Sequence, residues 1–348
     1  MTTAPLTDVL PAVDRADAAR TGPVPPHDLW GVLAAVRFAL ATVVVAYHFV
    51  PNLRATDYLS THLAALDGGS AVFCFLVISG FSIAHSLARR PRGFYARRFV
   101  RIYPLYLLSL ATTVWVEVTL GLWRPPEPRA AAGSLVFLQT FAVRSPGGNP
   151  VLWTLAVEVA LYAAAPLLAR LSTRVLLAAA AASAGLFLLT WPEFHLPAFG
   201  ESTPFVPLLT NAWAWLAGFA FYRARHRPGA GLLLVAAITV VATFEPVRPR
   251  NGSVTVVLAM VAVAGGSAVR LRPAARRAAD LLGEVSYPLY LFHVPVLLAC
   301  KGYDRQLSVW PAIGVATAVA VVAVAIDRAL RTPIAAVVGR ITRAGRGR

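Results

Sequence analysis

Residues 31–51 read GVLAAVRFALATVVVAYHFVP. The run is nearly all apolar, and a helix of about 20 such residues crosses the roughly 30 Å hydrocarbon layer of a bilayer. Two basic side chains break it, Arg37 and His48. A separation of eleven residues turns a helix through three turns plus about 20° and rises about 16 Å. The two therefore share one stripe, one near each end of the span. An ionisable group facing lipid costs about 2.5–3.5 kcal/mol on insertion scales. The stripe is accordingly expected to face a protein interior or a wet cavity, with His48 as a candidate general base.

The rest of the chain repeats this composition. Of its 348 residues 57% are hydrophobic and 14% charged, and the mean hydropathy is +0.64. A soluble domain has no use for so much apolar surface, so the expected fold is an all-α polytopic membrane protein. Ten spans are predicted, at roughly 31–50, 69–88, 103–122, 150–169, 174–191, 204–222, 229–244, 253–269, 284–300 and 308–330. Residues 1–28 are polar and Pro-rich without an apolar segment, and read as a disordered tail rather than a signal peptide. Residues 29–330 form the transmembrane unit, and 331–348 a basic tail. With the N-terminus inside, the 32 Arg and Lys residues divide 22 to 8 between inner and outer segments, and Arg37 and Arg328 lie within spans. Both termini are therefore expected in the cytoplasm, in a multi-pass protein of the cell membrane. The net charge of +16 belongs to these loops and does not point to nucleic acid. Trp30, Trp123, Trp153, Trp191 and Trp310 fall near span ends, where an aromatic belt belongs. The short apolar stretch 131–143 is placed as an interfacial or re-entrant helix. Cys74 and Cys300 are isolated in apolar runs, and no His or Asp cluster has metal-ligand spacing, so neither a disulfide nor a metal is expected.

Three further stretches carry polar groups where apolar ones belong. Residues 75–81 read FLVISGF, followed by a basic connection, FYARRFVRIYP, that ends at Pro104. Arg98 and Arg101 are three apart and face one way on a helical turn, where two guanidiniums can clamp a phosphate. The positive-inside rule accounts for cytoplasmic arginines without any site, and both readings stand at this point. Ser79 and Gly80 read as small residues allowing close helix packing. Residues 152–162 read LWTLAVEVALY, with Glu158 well inside a span and Tyr162 on the same face at i+4. Such a carboxylate is paired, protonated or functional. Residues 282–295 read LGEVSYPLYLFHVP. There Ser286, Tyr290 and His293 form a polar stripe at i, i+4 and i+7, with Tyr287 beside it. Pro288 and Pro295 free a carbonyl or kink the helix. His85 and the loop histidines read as ordinary.

Taken in order, these motifs resemble the acyltransferase-3 family of integral membrane O-acyltransferases. The matching residues are Arg37 and His48, the FLVISGF span, Arg98 and Arg101 followed by Pro104, Trp153 and Glu158, and Ser286, Tyr287, Tyr290 and His293. Two positions that are often acidic in the family are Ala34 and Phe73 here. The resemblance implies transfer of an acyl group, acetyl foremost, from cytoplasmic acyl-coenzyme A to a hydroxyl of a carbohydrate, glycolipid or glycosylated natural product. It implies His48 and Glu158 as catalytic residues, with Glu158 orienting His48 or steadying its charge. Arg98, Arg101 and Arg37 would hold the donor, which is a co-substrate rather than a resident cofactor. Trp153, Tyr162, Ser286, Tyr287, Tyr290 and His293 would line the substrate path. A transporter or flippase that uses the same cavity without acyl transfer is the alternative, and a non-catalytic scaffold gives no reason for intramembrane Arg, His and Glu.

Overall fold

The computed structural model describes residues 27–64, 66–122, 125, 128–143, 148–190, 205–244, 252–303 and 307–344. The expectations for the tail before residue 27, and for Trp123 and Trp191, lie outside these residues. Ten helices of 13 residues or more appear among those described: α1 His27–Phe49, α2 Gly68–Arg89, α3 Phe94–Thr119, α4 Trp153–Leu168, α5 Thr173–Thr190, α6 Val206–Ala224, α7 Ala230–Ala242, α8 Ser253–Gly265, α9 Pro273–Tyr303 and α10 Val309–Ala344. Each overlaps one predicted span. The described residues contain no β-strand, only isolated bridges between Arg54 and Ser308 and between Gln139 and Val143. By length and composition seven of the helices, α1 to α5, α9 and α10, suffice to cross a membrane, while α7 and α8 are apolar but short.

Four boundaries differ markedly from expectation, one of them the start of α9, which lies at Pro273 rather than near residue 284. The basic stretch FYARRFVRIYP is not a connecting loop but the opening turns of α3, with Pro104 inside the helix. The connection from α2 is only Arg90–Gly93. Gly93 takes φ 68° there, a left-handed conformation that glycine adopts without steric penalty. Arg97 staples this turn by donating to the Arg90 and Arg92 carbonyls. The last helix continues past residue 330 to Ala344, so most of the expected basic tail is helical. The stretch 131–143 is helical only to Leu135. Beyond that it folds back among α3 and α4, with Gln139 and Thr140 buried.

Packing follows from which faces are small. α1 lies between α2 and α9, α2 runs along α6, α5 covers α6, and α10 covers α9 and α3. The α2–α6 crossing is backbone on backbone. A Cβ on Gly80 would stand 2.0 Å from the Trp215 carbonyl oxygen, and one on Gly218 would stand 2.0 Å from that of Val77. Small residues at such crossings permit dispersion contact where lipid offers no hydrophobic gain. The larger core gathers around α2, α4 and α6, and a smaller one lies between α1, α9 and α10.

Asp67 starts α2 by accepting the Ser70 amide at 2.8 Å and the Ser70 hydroxyl at 2.6 Å. In α9, Pro295 has no N–H to give the Leu291 carbonyl. That carbonyl instead accepts from Ser109 Oγ at 2.9 Å and Asn149 Nδ2 at 3.2 Å. The two bonds tie α9 to α3 and to the turn before α4, which fixes the helices that carry the candidate site.

Candidate active site

A cavity of about 740 Å³ lies among α1, α2, α3, α4 and α9. One end is basic. Arg89, Arg90, Arg97 and Arg101 line it and are exposed, and Arg98 and Arg37 line it half-buried. The other end is formed by Val72, Phe75, Leu76, Thr154, Leu155 and Tyr290, of which Leu76, Thr154, Leu155 and Tyr290 are buried. The cavity is thus an electropositive mouth leading to a mostly apolar closed end.

Arg37 reaches across from α1 to donate to Ser82 Oγ of α2 at 2.9 Å. The Arg98 guanidinium lies 5.6 Å from the Phe94 ring centroid and 5.8 Å from that of Tyr162. Among the described residues none of Arg37, Arg98 and Arg101 is in an ion pair; the pairs present are Arg276–Asp28, Arg328–Glu284 and Arg331–Asp327. Between the arginines and the closed end sits Glu158. It accepts from Ser79 Oγ at 2.5 Å and from the Tyr162 hydroxyl. Ser79 and Tyr162 also contact one another, at 3.0 Å. The carboxylate that the span composition made conspicuous is therefore held by two hydroxyls on the cavity wall.

His48 does not meet Glu158. Its ring packs on His293, with centroids 5.0 Å apart, and His293 Nε2 lies 3.2 Å from His48 Nδ1. His48 Nδ1 is also 2.9 Å from the Val44 carbonyl, and His293 Nδ1 is 2.7 Å from that of Tyr290. His48 is half-buried and His293 fully buried. Neither lines the cavity, but Tyr290 bridges the two regions. It forms part of the closed end and stands 5.9 Å from the His293 ring, centroid to centroid. Its hydroxyl is fixed against Thr154 Oγ1 at 2.8 Å.

The expected residues thus divide. Arg37, Arg98, Arg101, Glu158, Tyr162, Ser286, Tyr287 and Tyr290 share the cavity wall. His48 and His293 form a pair beyond its closed end. Trp153 packs against the main core, next to the cavity-lining Thr154. Arg37 and His48 do lie along one inward stripe of α1, the first on α2 and the second on α9.

Several lining residues were passed over. Ser79 holds Glu158 as well as easing helix packing. Ser82, His85, Ser86 and Arg89 also line the cavity, and His85 lies with its ring 4.6 Å from that of Trp30. The signal was present: Ser79, Ser82, Ser86 and Arg89 recur at i, i+3, i+7 and i+10, a polar stripe on an otherwise apolar helix.

The chain matches the acyltransferase domain family over residues 32–327. Acyltransferase MdmB of Streptomyces mycarofaciens is 27% identical over 353 residues, an alignment covering 87% of this chain and 89% of the relative. No solved structure matches.

Proposed function

The chain belongs to the acyltransferase-3 family, and from that premise we propose that it is a multi-pass enzyme of the cytoplasmic membrane that moves an acyl group, acetyl foremost, from acyl-coenzyme A to a hydroxyl of a carbohydrate, glycolipid or glycosylated natural product. The observation that carries this reading is the cavity itself. Guanidiniums in no ion pair among the described residues stand at one end, a closed end lies one helical turn from a histidine, and between them run apolar side chains, the hydroxyls of Ser79, Tyr162 and Ser286, and the hydroxyl-held carboxylate.

The donor is a polyanion on a long arm. Arg98 and Arg101 take its phosphates with charge-assisted N–H bonds, and Arg37 extends the positive field inward. The arm runs past Glu158 toward Tyr290. His48 removes the proton of the acceptor hydroxyl as that oxygen attacks the thioester carbon. The C–O bond forms, the C–S bond breaks, and the thiolate leaves as thiol with the proton returned by His48. Tyr290, its hydroxyl held by Thr154 Oγ1 and the Val151 carbonyl, shapes the acyl end of this path. The ten helices are read as ten crossings with both termini and the arginine end cytoplasmic, in accord with the distribution of basic residues.

The test is thiol release. Full-length protein in detergent, given acetyl-coenzyme A and a panel of sugar and glycoside acceptors, is expected to liberate free thiol in an acceptor-dependent manner. His48→Ala is expected to lower the rate about 10²–10⁴-fold, the usual contribution of a general base, without changing extraction or thermal unfolding. Undiminished release by His48→Ala would remove the base assignment. Acceptor movement across vesicles with no thiol release from any donor would favour transport.

A further inference from the structure

We propose that His293 is a positioning residue for His48: it accepts the Nδ1–H of His48, aims Nε2 as the proton-accepting lone pair, and steadies the charge that His48 acquires. The inference rests on His48 acting as the base and adds the device that makes it one.

The tautomers follow from the acceptors. A backbone carbonyl has no hydrogen to give, so the ring nitrogen 2.7 Å from the Tyr290 oxygen, His293 Nδ1, carries one. Neutral imidazole has a single N–H, and its other nitrogen is an acceptor. His293 Nε2 therefore presents a lone pair to His48 Nδ1, 3.2 Å away. The same His48 nitrogen lies 2.9 Å from the Val44 carbonyl, which independently requires a hydrogen there. One N–H is shared between the two acceptors. Both constraints give the same answer: His48 is protonated on Nδ1, and Nε2 is its base. A charged His293 would turn an N–H toward the N–H of His48 and break the pair, so the bonded geometry requires neutral His293.

The consequence appears when the proton moves. Once the acceptor O–H has given its hydrogen to Nε2, the His48 ring is cationic and its Nδ1–H becomes a charge-assisted donor. In a water-poor interior that bond is stronger than at a surface. His293 is completely buried and pinned at its far nitrogen, so it meets the new charge without rearranging. Neutral histidine here does for His48 what a carboxylate would do, without placing a second ion among apolar helices.

The experiment measures acetyl-coenzyme A turnover by the full-length protein with an acceptor that the unaltered protein uses. His293→Leu is expected to lower kcat about 10- to 100-fold, part of the about 10²–10⁴-fold that a general base supplies, with the donor KM unchanged. His293→Gln offers an amide oxygen to His48 and an amide N–H to Tyr290, and is expected to recover most of the rate. His293→Asn keeps a polar group in the core but does not reach His48, and is expected to stay slow; it decides the matter if His293→Leu fails to fold. Adding His293→Leu to His48→Ala should cost nothing further, because the residue acts through His48. A rate within twofold of the unaltered protein for both the Leu and Asn variants, or a full multiplicative loss in the double variant, would overturn the proposal. Activity retained by His48→Ala would instead strike the base assignment on which the proposal rests, so the two failures are distinct.

Discussion

Arg98→Gln tests whether the basic end of the cavity holds the donor. Arg98 opens the second turn of α3, and its guanidinium rests beside the Phe94 and Tyr162 rings. Its Nε is buried without a hydrogen-bond partner, and the side chain is in no ion pair among the described residues. Its charge feels the Glu158 carboxylate without forming an ion pair with it. A hydrogen bond to a charged group is worth about 1.5–3 kcal/mol net. At about 1.4 kcal/mol per tenfold, loss of one such contact raises the donor dissociation constant about 10- to 150-fold. Six guanidiniums line the same cavity, and removing one relieves their mutual repulsion, which places the expected change near the lower end. The donor KM should therefore rise about tenfold, with kcat and the acceptor KM little altered. Arg98→Lys keeps the charge but not the planar fork, and should recover part of the loss.

The neighbouring Arg97 provides the control. It lines the same cavity, but its terminal nitrogens already serve the carbonyls of Arg90 and Arg92. Arg97→Gln should loosen the α2–α3 turn and lower thermal stability, with less effect on donor KM than Arg98→Gln. The assay is initial-rate thiol release across acyl-coenzyme A concentration at saturating acceptor, paired with equilibrium binding of the donor to His48→Ala. A donor KM within twofold of normal in Arg98→Gln, together with a tenfold change in acceptor KM, would refute the reasoning and assign the basic end to the acceptor.

Two other perturbations probe the α2–α6 crossing and the closed end of the cavity. Gly80→Ala drives a methyl into the Trp215 carbonyl oxygen, 2.0 Å from the built Cβ, and backbone cannot swing aside. Thermal unfolding in detergent should show a loss of at least the about 1–3 kcal/mol of ordinary overpacking, whereas Gly185→Ala, with nothing within 4 Å, should leave the midpoint in place. Phe75→Ala opens the closed end next to Tyr290, whose ring centroid is 5.8 Å away. Two added methylenes are worth about 1.6 kcal/mol when buried, so competition between acetyl- and butyryl-coenzyme A should shift about tenfold toward butyryl. An unchanged ratio would mean that this end does not hold the acyl group.

Helix positions were legible because apolar runs of span length leave few other options, and every predicted span overlaps a helix, seven of which are long and apolar enough to cross a membrane. Their ends were less so. The Arg-rich opening of α3 reads as loop by composition, yet the helix begins at Phe94 because the Gly93 turn reverses the chain early and Arg97 secures it. The basic segment after residue 330 continues α10 instead of leaving it. The polar residues inside spans announced themselves by cost, and Arg37, Glu158, Tyr162 and Tyr290 do share one cavity. Their pairing was not legible. Nothing local to Glu158 shows that Ser79, 79 positions away, will hold it, or that His48 will meet His293, 245 positions away. Those contacts depend on how close α2 comes to α6 and α4, where the two glycines allow backbone contact, and on the register in which α9 lies against α1 and α3.

That register explains why the spacing within α1 matters more than the identities between its two basic residues. Arg37 and His48 are eleven residues apart, about 16 Å along the helix axis, and α9 runs alongside from Ser286 beside the cavity to His293 beyond it, about 10 Å. The two helices pack along each other, so neither end of the site can shift without the other. On the proposed reading the bundle acts as a ruler. A donor anchored by its phosphates at the arginine end offers its thioester only at the length of its own arm, and the base waits at a fixed distance. An acyl phosphate, whose anion and acyl carbon are adjacent, cannot occupy both ends at once. A thioester carried on an extended pantetheine arm can, and its apolar stretches suit the wall between Leu76 and Leu155. The proposed reading thus calls for a long-armed donor. It also separates the two substrates, since the half-exposed His48 lies beyond the closed end and an acceptor need not pass the arginines to reach it.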